Sequence, residues 1–220
     1  METIFHSRVG AGLLLAERLR KYNYTHGVVF AVPRGGVPVA FAIASELNLP
    51  LEIVLAKKIG HPLNPEYAIG AASLTDHFIT SHEDVPDGYV ERELERIRAR
   101  LGEMETKFMG ERKHVDVKGK TVIIVDDGAA TGNTLLSTAR LMRKKEPSKI
   151  IVAVPVASRQ AVKKLATVAD EVMALYVPGN FMGVGAYYEV FDQLDDEEVI
   201  YYLEKWDRLR DEDKSHVKEG

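Results

Sequence analysis

Short apolar runs alternate with helical patterns along the chain, and this alternation predicts the fold. The runs are rich in β-branched residues and show almost no polar alternation: Val28–Val32, Ile53–Ala56, Thr121–Val125, Ile150–Val154 and Glu171–Val177. Strands that are buried on both faces of a parallel sheet have this pattern. Helical periodicity lies between the runs, over Val37–Leu47, Asn133–Lys144 and Arg159–Ala166. The order predicts an α/β fold with an open, mostly parallel sheet and helices on both faces.

The segment 60–118 interrupts this rhythm, because it is much longer than a usual crossover between neighbouring strands. Tyr67–Leu74 and His77–Ser81 predict a small hairpin. A long helix should follow, with apolar residues spaced alternately four and three positions apart: Val90, Leu94, Ile97, Leu101, Met104 and Phe108. Such a seam either packs against its own domain or joins two copies of the chain. The spacing alone leaves both interpretations open.

The two ends of the chain carry helical signals. The apolar run Gly10–Ala16 is too short to span a membrane, and an amphipathic surface helix is expected there. Asp195 and Glu198 have the spacing of a helix-capping box. We therefore expect one domain over residues 1–206, in which 178–206 form a hood and a C-terminal helix, followed by a frayed, solvated tail over 207–220.

Composition excludes several classes of function. The 220 residues include no cysteine, which removes disulfides, thiolate metal sites and cysteine nucleophiles. The formal net charge of −4 gives no general basic field, so neither nucleic-acid nor membrane binding is expected. The seven histidines show no zinc-ligand spacing. A cytoplasmic location is the expectation.

The most informative segment is V-I-I-V-D-D-G-A-A-T-G-N-T, residues 122–134. A buried strand ends in Asp126 and Asp127, and a loop of small residues leads into a helix. Exposed amides at a helix N-terminus, with the hydroxyls of Thr131 and Thr134, suit a phosphate dianion. The two carboxylates suit neighbouring sugar hydroxyls or a metal, so together the residues describe a ribose 5-phosphate site. An ordinary acidic turn is the alternative.

This segment resembles the phosphoribosyl-pyrophosphate signature of type I phosphoribosyltransferases. The resemblance implies that the ribose 5-phosphate binds the residues of the loop: Gly128, Ala129, Ala130, Thr131, Gly132, Asn133 and Thr134. It also implies a pyrophosphate loop after the first core strand, where Val32-Pro33-Arg34-Gly35-Gly36 stands, with a cis peptide bond at Arg34. Lys57 and Lys58, which should close the next strand, are further candidates for pyrophosphate binding.

The resemblance implies an enzyme that uses 5-phosphoribosyl 1-pyrophosphate (PRPP) and Mg²⁺. It would transfer the phosphoribosyl group to a nitrogenous base or a related small molecule and release pyrophosphate. Asp126 and Asp127 would be the catalytic residues, with Mg²⁺ held mainly by PRPP and by one of these carboxylates. Purine-salvage members carry an acidic residue where this chain has Ala130, and a methyl group cannot move a proton. The sequence does not identify the acceptor.

The acceptor site is expected in the hood, where Phe181, Tyr187 or Tyr188 could stack on a flat ring or pack onto the core. The resemblance also implies a homodimer and a lid within 61–114. Two alternatives to the enzyme remain. One is a PRPP-sensing regulator without catalysis, and the other is a phosphohydrolase or sugar-phosphate binder that reuses the loop.

Overall fold

The structure, a computed structural model, describes residues 3–22, 26–81, 84–110 and 112–218. Its strands are β1 (Gly27–Ala31), β2 (Leu51–Ile53), β3 (Lys57–His61), β4 (Asn64–Ala72), β5 (His77–Ile79), β6 (Thr121–Val125), β7 (Lys149–Val156) and β8 (Glu171–Tyr176). Its α-helices are α1 (Arg8–Leu19), α2 (Gly36–Leu47), α3 (Tyr89–Met109), α4 (Asn133–Arg143), α5 (Arg159–Leu165) and α6 (Asp196–Lys218).

Five strands form a parallel sheet in the order β2-β1-β6-β7-β8. Alternate residues of each strand enter two separate cores. Val29 and Ile123 pack with α1, α2, α3 and α6, whereas Val28 and Ile124 pack with α4 and α5. Helices therefore cover both faces, and the predicted fold class is confirmed.

The inserted segment forms a second, antiparallel sheet in the order β3-β4-β5, which includes the predicted hairpin. One detail of the prediction is wrong. The second core strand is β2 and lies earlier than Ile53–Ala56, and Lys57 and Lys58 begin β3 rather than closing a core strand. Strand β2 ends earlier than predicted because its partner β1 is short. Pairing with β1 ends where the Val54 amide donates to Ala31 (2.9 Å), after which Lys57 pairs with Ala72.

The long helix α3 uses its apolar seam inside the same molecule. Val90, Leu94, Ile97, Leu101 and Phe108 are buried, and they belong to the core shared with β1, α2 and α6. Of the two interpretations, the structure therefore supports packing within the domain.

The predicted capping box is present at the start of α6. The Asp195 carboxylate accepts from the Glu198 amide (2.8 Å), and the Glu198 carboxylate accepts from the Asp195 amide (3.0 Å). The prediction of a frayed tail after residue 206 is wrong, because helix α6 continues to Lys218. Contacts continue past the buried Trp206: Asp207 pairs with Arg112, and Arg210 lies 5.0 Å from the Trp206 ring. In the described ranges, no helix has the length and apolar character needed to cross a membrane.

Candidate functional site

Two loops meet at the carboxyl edge of the parallel sheet. Because β1 and β6 are neighbours, with Ala31 opposite Val125, the residues that follow them emerge side by side. Gly35 and Gly36 of the 32–36 loop allow this loop to pack closely against the residues at the end of β6. A Cβ atom at Gly35 would lie 2.1 Å from the Asp127 carboxylate, and one at Gly36 would lie 2.6 Å from the Val125 carbonyl. The loop after β1 therefore packs directly on the acidic pair that ends β6.

The 32–36 loop holds the cis peptide bond that was predicted, between Pro33 and Arg34. One detail differs from the expected anion cradle. The Gly36 amide donates to the Val32 carbonyl (3.0 Å), so it serves the turn that starts α2 and not a ligand. The side chain of Arg34 is exposed, and its Nε donates to the Asp196 carboxylate (2.8 Å) at the start of α6.

The 128–134 loop presents unused amides in front of α4. Among the residues the structure describes, the amides of Ala130, Thr131, Gly132 and Thr134 form no hydrogen bond with a protein acceptor. Gly132 has φ +70°, a conformation that favours glycine, and it caps the helix. The side chains of Thr131, Asn133 and Thr134 are exposed. These groups have the composition of a phosphate site at a helix N-terminus.

The connection between β7 and α5 fixes the base of this loop. The Ala129 amide donates to the Val156 carbonyl (2.9 Å), and the Ser158 hydroxyl donates to the Ala130 carbonyl (2.6 Å). Gly128 lies against the hood, since a Cβ atom there would be 2.5 Å from a methyl group of Val184. The loop is thus held on two sides while its amides remain open.

The carboxyl groups of Asp126 and Asp127 are partly buried, and the pKa of each is raised. Burial and the neighbouring Asp127 raise the pKa of Asp126 well above its usual range. Burial also raises the pKa of Asp127, although the Arg8 guanidinium opposes this shift. The Asp126 carboxylate accepts from the Asp127 amide (2.9 Å). Two repelling carboxylates at one strand end favour a bound cation or a hydroxyl-bearing ligand.

Arg8 is a site residue that the sequence did not reveal. From the first turn of α1, its Nε donates to the Asp127 carboxylate (2.9 Å), and both side chains are largely buried. Its guanidinium lies 3.8 Å from the centre of the Phe191 ring and also donates to the Asp192 carbonyl (2.9 Å). These contacts fix one carboxylate of the pair. No motif surrounds Arg8, and the chain separation between it and Asp127 is 119 positions, so no signal in the sequence connects them.

The acidic pair has the donor chemistry that Mg²⁺ prefers. Mg²⁺ is usually held by one or two carboxylates together with substrate phosphates. Within the described part of the chain, no three His, Cys, Asp or Glu side chains form a metal-binding group. An ion at Asp126 or Asp127 would therefore share the oxygens of a bound ligand.

The hood does not present the predicted aromatic stack. Tyr187 and Tyr188 are buried, at 2% and 4% exposure, in a cluster with Phe5. The Tyr188 hydroxyl donates to the Asp127 carbonyl (2.6 Å), and the Tyr187 hydroxyl donates to the Asn180 carbonyl (3.1 Å). Both rings support the site from behind and are closed to a ligand, so the stacking role is wrong for them. Phe181 is half-buried against the Tyr187 ring, 5.7 Å away between ring centres.

Lys57 and Lys58 line a cavity of about 890 Å³ between the inserted sheet, α3 and the first turns of α4. Asn133 and Thr134 of the phosphate loop also line it. Arg34, Asp126 and Asp127 are not among its lining residues. The structure thus groups the two lysines with the insertion rather than with the 32–36 loop.

Comparisons with known proteins agree with this geometry. A family model described as the phosphoribosyl transferase domain matches residues 8–188. A Mycobacterium tuberculosis protein named "Putative phosphoribosyl transferase" is 35% identical over 92% of this chain. The crystal structure of TT1426 from Thermus thermophilus is 39% identical, with a TM-score of 0.85, and the match covers 92% of this chain and 98% of that one.

The similarity to longer proteins is partial. The chain spans about half of the length (47%) of the curated M. tuberculosis relatives that it matches. A ribose-phosphate pyrophosphokinase of Pyrococcus furiosus is 38% identical over 60 residues, which are 26% of this chain and 22% of that protein.

Proposed function

The chain belongs to the phosphoribosyl transferase domain family, and on that premise we propose that it is a PRPP-dependent phosphoribosyltransferase. It uses Mg²⁺ and transfers the phosphoribosyl group to the nitrogen of a base or a related small molecule. Pyrophosphate is the leaving group.

One observation carries the proposal: the direct packing of the 32–36 loop on the acidic pair in front of a phosphate loop. Gly35 and Asp127 are in contact, and the open amides of Ala130, Thr131 and Gly132 follow on the same strand end. A ligand with a pyrophosphate and a phosphate on opposite ends of a diol-bearing sugar matches this order of donors, carboxylates and donors. A site for a single phosphate would not need the second loop.

Each group of residues has a role under this proposal. The amides of the 128–134 loop and the hydroxyls of Thr131 and Thr134 bind the 5-phosphate. Asp126 and Asp127 accept hydrogen bonds from the ribose hydroxyls, while Arg8 favours the charged form of Asp127 and orients its carboxylate. Arg34 and Gly35 bind pyrophosphate, for which the Arg34 side chain leaves Asp196. Mg²⁺, when bound, would neutralise pyrophosphate charge next to one of the two carboxylates.

The chemistry requires no protein nucleophile. The bond from C1 of the ribose to pyrophosphate breaks as the acceptor nitrogen attacks, and positive charge develops on the sugar. In their ionised forms, Asp126 and Asp127 would stabilise that charge. Ala130 is exposed and cannot act as a base, so the acceptor either needs no proton removal or loses its proton elsewhere.

Calorimetry and pyrophosphate release test the proposal in two steps. We expect PRPP to bind in the presence of Mg²⁺, and pyrophosphate to be released with at least one member of a panel of bases. Asp127→Asn should lower the release rate by about 100-fold, because one carboxylate facing the transition state is lost. Asp116→Asn is the matched control, since Asp116 is exposed and lies before the opposite end of β6.

The outcomes separate the enzyme from its alternative. Failure to bind PRPP would remove the proposal altogether. PRPP binding without pyrophosphate release for any base would instead identify a PRPP-sensing regulator.

A further inference from the structure

The ion pair between Arg34 and Asp196 is a contact that the proposed reaction must break. The Arg34 Nε donates to one carboxylate oxygen of Asp196 (2.8 Å), at the first turn of α6. A carboxylate and a phosphate group bind a guanidinium through the same N–H donors. Asp196 and pyrophosphate therefore compete for one arginine.

Asp196 has a second partner, which keeps its carboxylate in place. Lys107, in the last turn of α3, donates from its Nζ to the other carboxylate oxygen (2.7 Å). Hydrogen bonds from Lys107 and Arg34 lower the pKa of Asp196, so its carboxylate is ionised at neutral pH. If Arg34 left, the carboxylate would still be paired with Lys107, which lowers the cost of releasing the arginine.

The segment before α6 brings Asp196 close to the proposed site. The Asp192 carbonyl accepts from Arg8 (2.9 Å), and Arg8 also binds the acidic pair. The 32–36 loop, which carries Arg34, packs on the same pair. The start of α6 is thus attached to the site through Arg8 on one side and through Arg34 on the other.

The arginine is the partner that can move. Its side chain is 44% exposed, against 22% for that of Asp196. Ion pairs that reach solvent contribute little free energy and are easily exchanged for another partner. Exposed side chains also change rotamer within nanoseconds. A soluble anion can therefore reach Arg34 and take it from a carboxylate that stays where it is.

We propose, on the basis of the function proposed above, that Asp196 is a positioning residue that withdraws Arg34 from pyrophosphate and so promotes pyrophosphate release. Pyrophosphate takes the arginine while it is bound, and the carboxylate takes it back as the product leaves. Asp196 acts through Arg34 and touches neither the ribose nor pyrophosphate in this role.

Calorimetry with inorganic pyrophosphate and Mg²⁺ tests this role. Asp196→Asn keeps the size of the side chain and removes its charge, so it should tighten pyrophosphate binding about fourfold, the effect expected when a half-exposed ion pair no longer competes. Glu204→Gln is the matched control, because Glu204 is exposed on the same helix about two turns later, and it should change the affinity by less than about 1.5-fold. Ribose 5-phosphate, which does not need Arg34, should bind both variants as it binds the wild type.

A double-variant cycle separates competition for Arg34 from a general loss of negative charge. Arg34→Gln alone should weaken pyrophosphate binding about tenfold, because a charged donor is lost. In that background Asp196→Asn should have no further effect, since the arginine that Asp196 holds is absent. In stopped-flow measurements, pyrophosphate should dissociate more slowly from Asp196→Asn than from the wild type.

Unchanged or weaker pyrophosphate binding in Asp196→Asn would overturn the proposal, as would a wild-type protein or an Arg34→Gln variant that contradicts pyrophosphate binding by Arg34. An equal gain of affinity in the Arg34→Gln background would also overturn it, because the gain would then come from the field of the carboxylate alone. The proposed transferase function fails separately. A protein that releases no pyrophosphate from PRPP can still be titrated with pyrophosphate, and a protein that turns PRPP over can still show no effect of Asp196→Asn.

Discussion

Gly35 shows how a single missing side chain builds the site. Its backbone is right-handed helical (φ −56°), so any residue could adopt its conformation. Only the space excludes a side chain, because a Cβ atom would lie 2.1 Å from a carboxylate oxygen of Asp127. That oxygen accepts from Arg8 and has little freedom to move aside. The glycine is therefore required by contact between two loops.

We predict that Gly35→Ala lowers the free energy of unfolding by about 1–3 kcal/mol, the usual cost of overpacking. It should also weaken PRPP binding, because Asp127 and the 32–36 loop must separate. Urea unfolding and calorimetry measure the two effects. Gly179→Ala is the matched control, since no atom of the neighbouring described residues lies within 4 Å of a Cβ there, and it should stay within about 0.5 kcal/mol of the wild type. A wild-type stability for Gly35→Ala would contradict the packing described.

At the residue scale, the sequence predicts contiguous parts of the site and misses the distant ones. Asp126 to Thr134 stand in one motif, and the cis bond at Arg34 follows from the loop they resemble. Arg8 is brought to Asp127 only by the packing of α1, and no local pattern records that contact. For Tyr187 and Tyr188 the sequence leaves two interpretations open, stacking on a ligand or packing onto the core. Tertiary packing decides for the core, because it buries both rings.

At the scale of elements, one carboxylate joins β8, β7 and the short turn over Arg20–Tyr22 that follows α1. Glu171 at the start of β8 accepts from the Tyr22 hydroxyl, from Lys21 (2.9 Å) and from Lys149 of β7 (3.0 Å). These donors lower the pKa of Glu171 to about 2, from the ordinary value of 4.5. A lowered pKa means that the stabilisation is present above the unfolded-state pKa and is lost as the pH falls toward about 2.

We predict that Glu171→Gln lowers the free energy of unfolding at pH 7 by about 1–2 kcal/mol, after allowance for solvent screening of the partly exposed cluster. In urea unfolding at a series of pH values, the difference from wild type should be constant above about pH 5 and shrink below about pH 4.5. Glu146→Gln, whose carboxylate is 68% exposed and pairs with Lys118, should show almost no difference at any pH. A difference for Glu171→Gln that does not change with pH would show that the charge is not its source.

The sequence predicts the elements well where their burial is uniform. The runs at Val28–Val32 and Thr121–Val125 match β1 and β6 within one residue, because both faces of these strands are covered. The prediction is less accurate at β2, an edge strand of three residues that Val54, Leu55 and Ala56 follow without joining the strand. Apolar residues continue past its end because Leu55 enters the main core and Val54 packs against the core covered by α4 and α5, so hydrophobicity does not mark where pairing stops.

At the scale of the whole molecule, the inserted segment is part of the main core. Its helix α3 packs against α6, and Leu101 is 1% exposed in the same cluster as Val29 of β1 and Trp206 of α6. The lid within 61–114, which the resemblance implies, stays a prediction. The sequence shows the apolar seam of α3 but not the surface against which the seam packs. Burial of the seam in a shared core implies that the inserted segment and the parallel sheet unfold together.

We predict that Leu101→Ala lowers the free energy of unfolding by about 2–5 kcal/mol, because it leaves a cavity in that shared core. Fluorescence of Trp206, the single tryptophan, reports on α6, and far-ultraviolet circular dichroism reports on all helices. The two transitions should coincide in the wild type and move together in the variant. Leu63→Ala, at a side chain that is 82% exposed in the β3–β4 turn, is the control and should leave both transitions unchanged.

An early circular dichroism transition in Leu101→Ala, with the fluorescence of Trp206 unaffected, would instead mean that the inserted segment is a separate folding unit. The cavity between the inserted sheet, α3 and α4 would then open independently of the parallel sheet that carries the acidic pair.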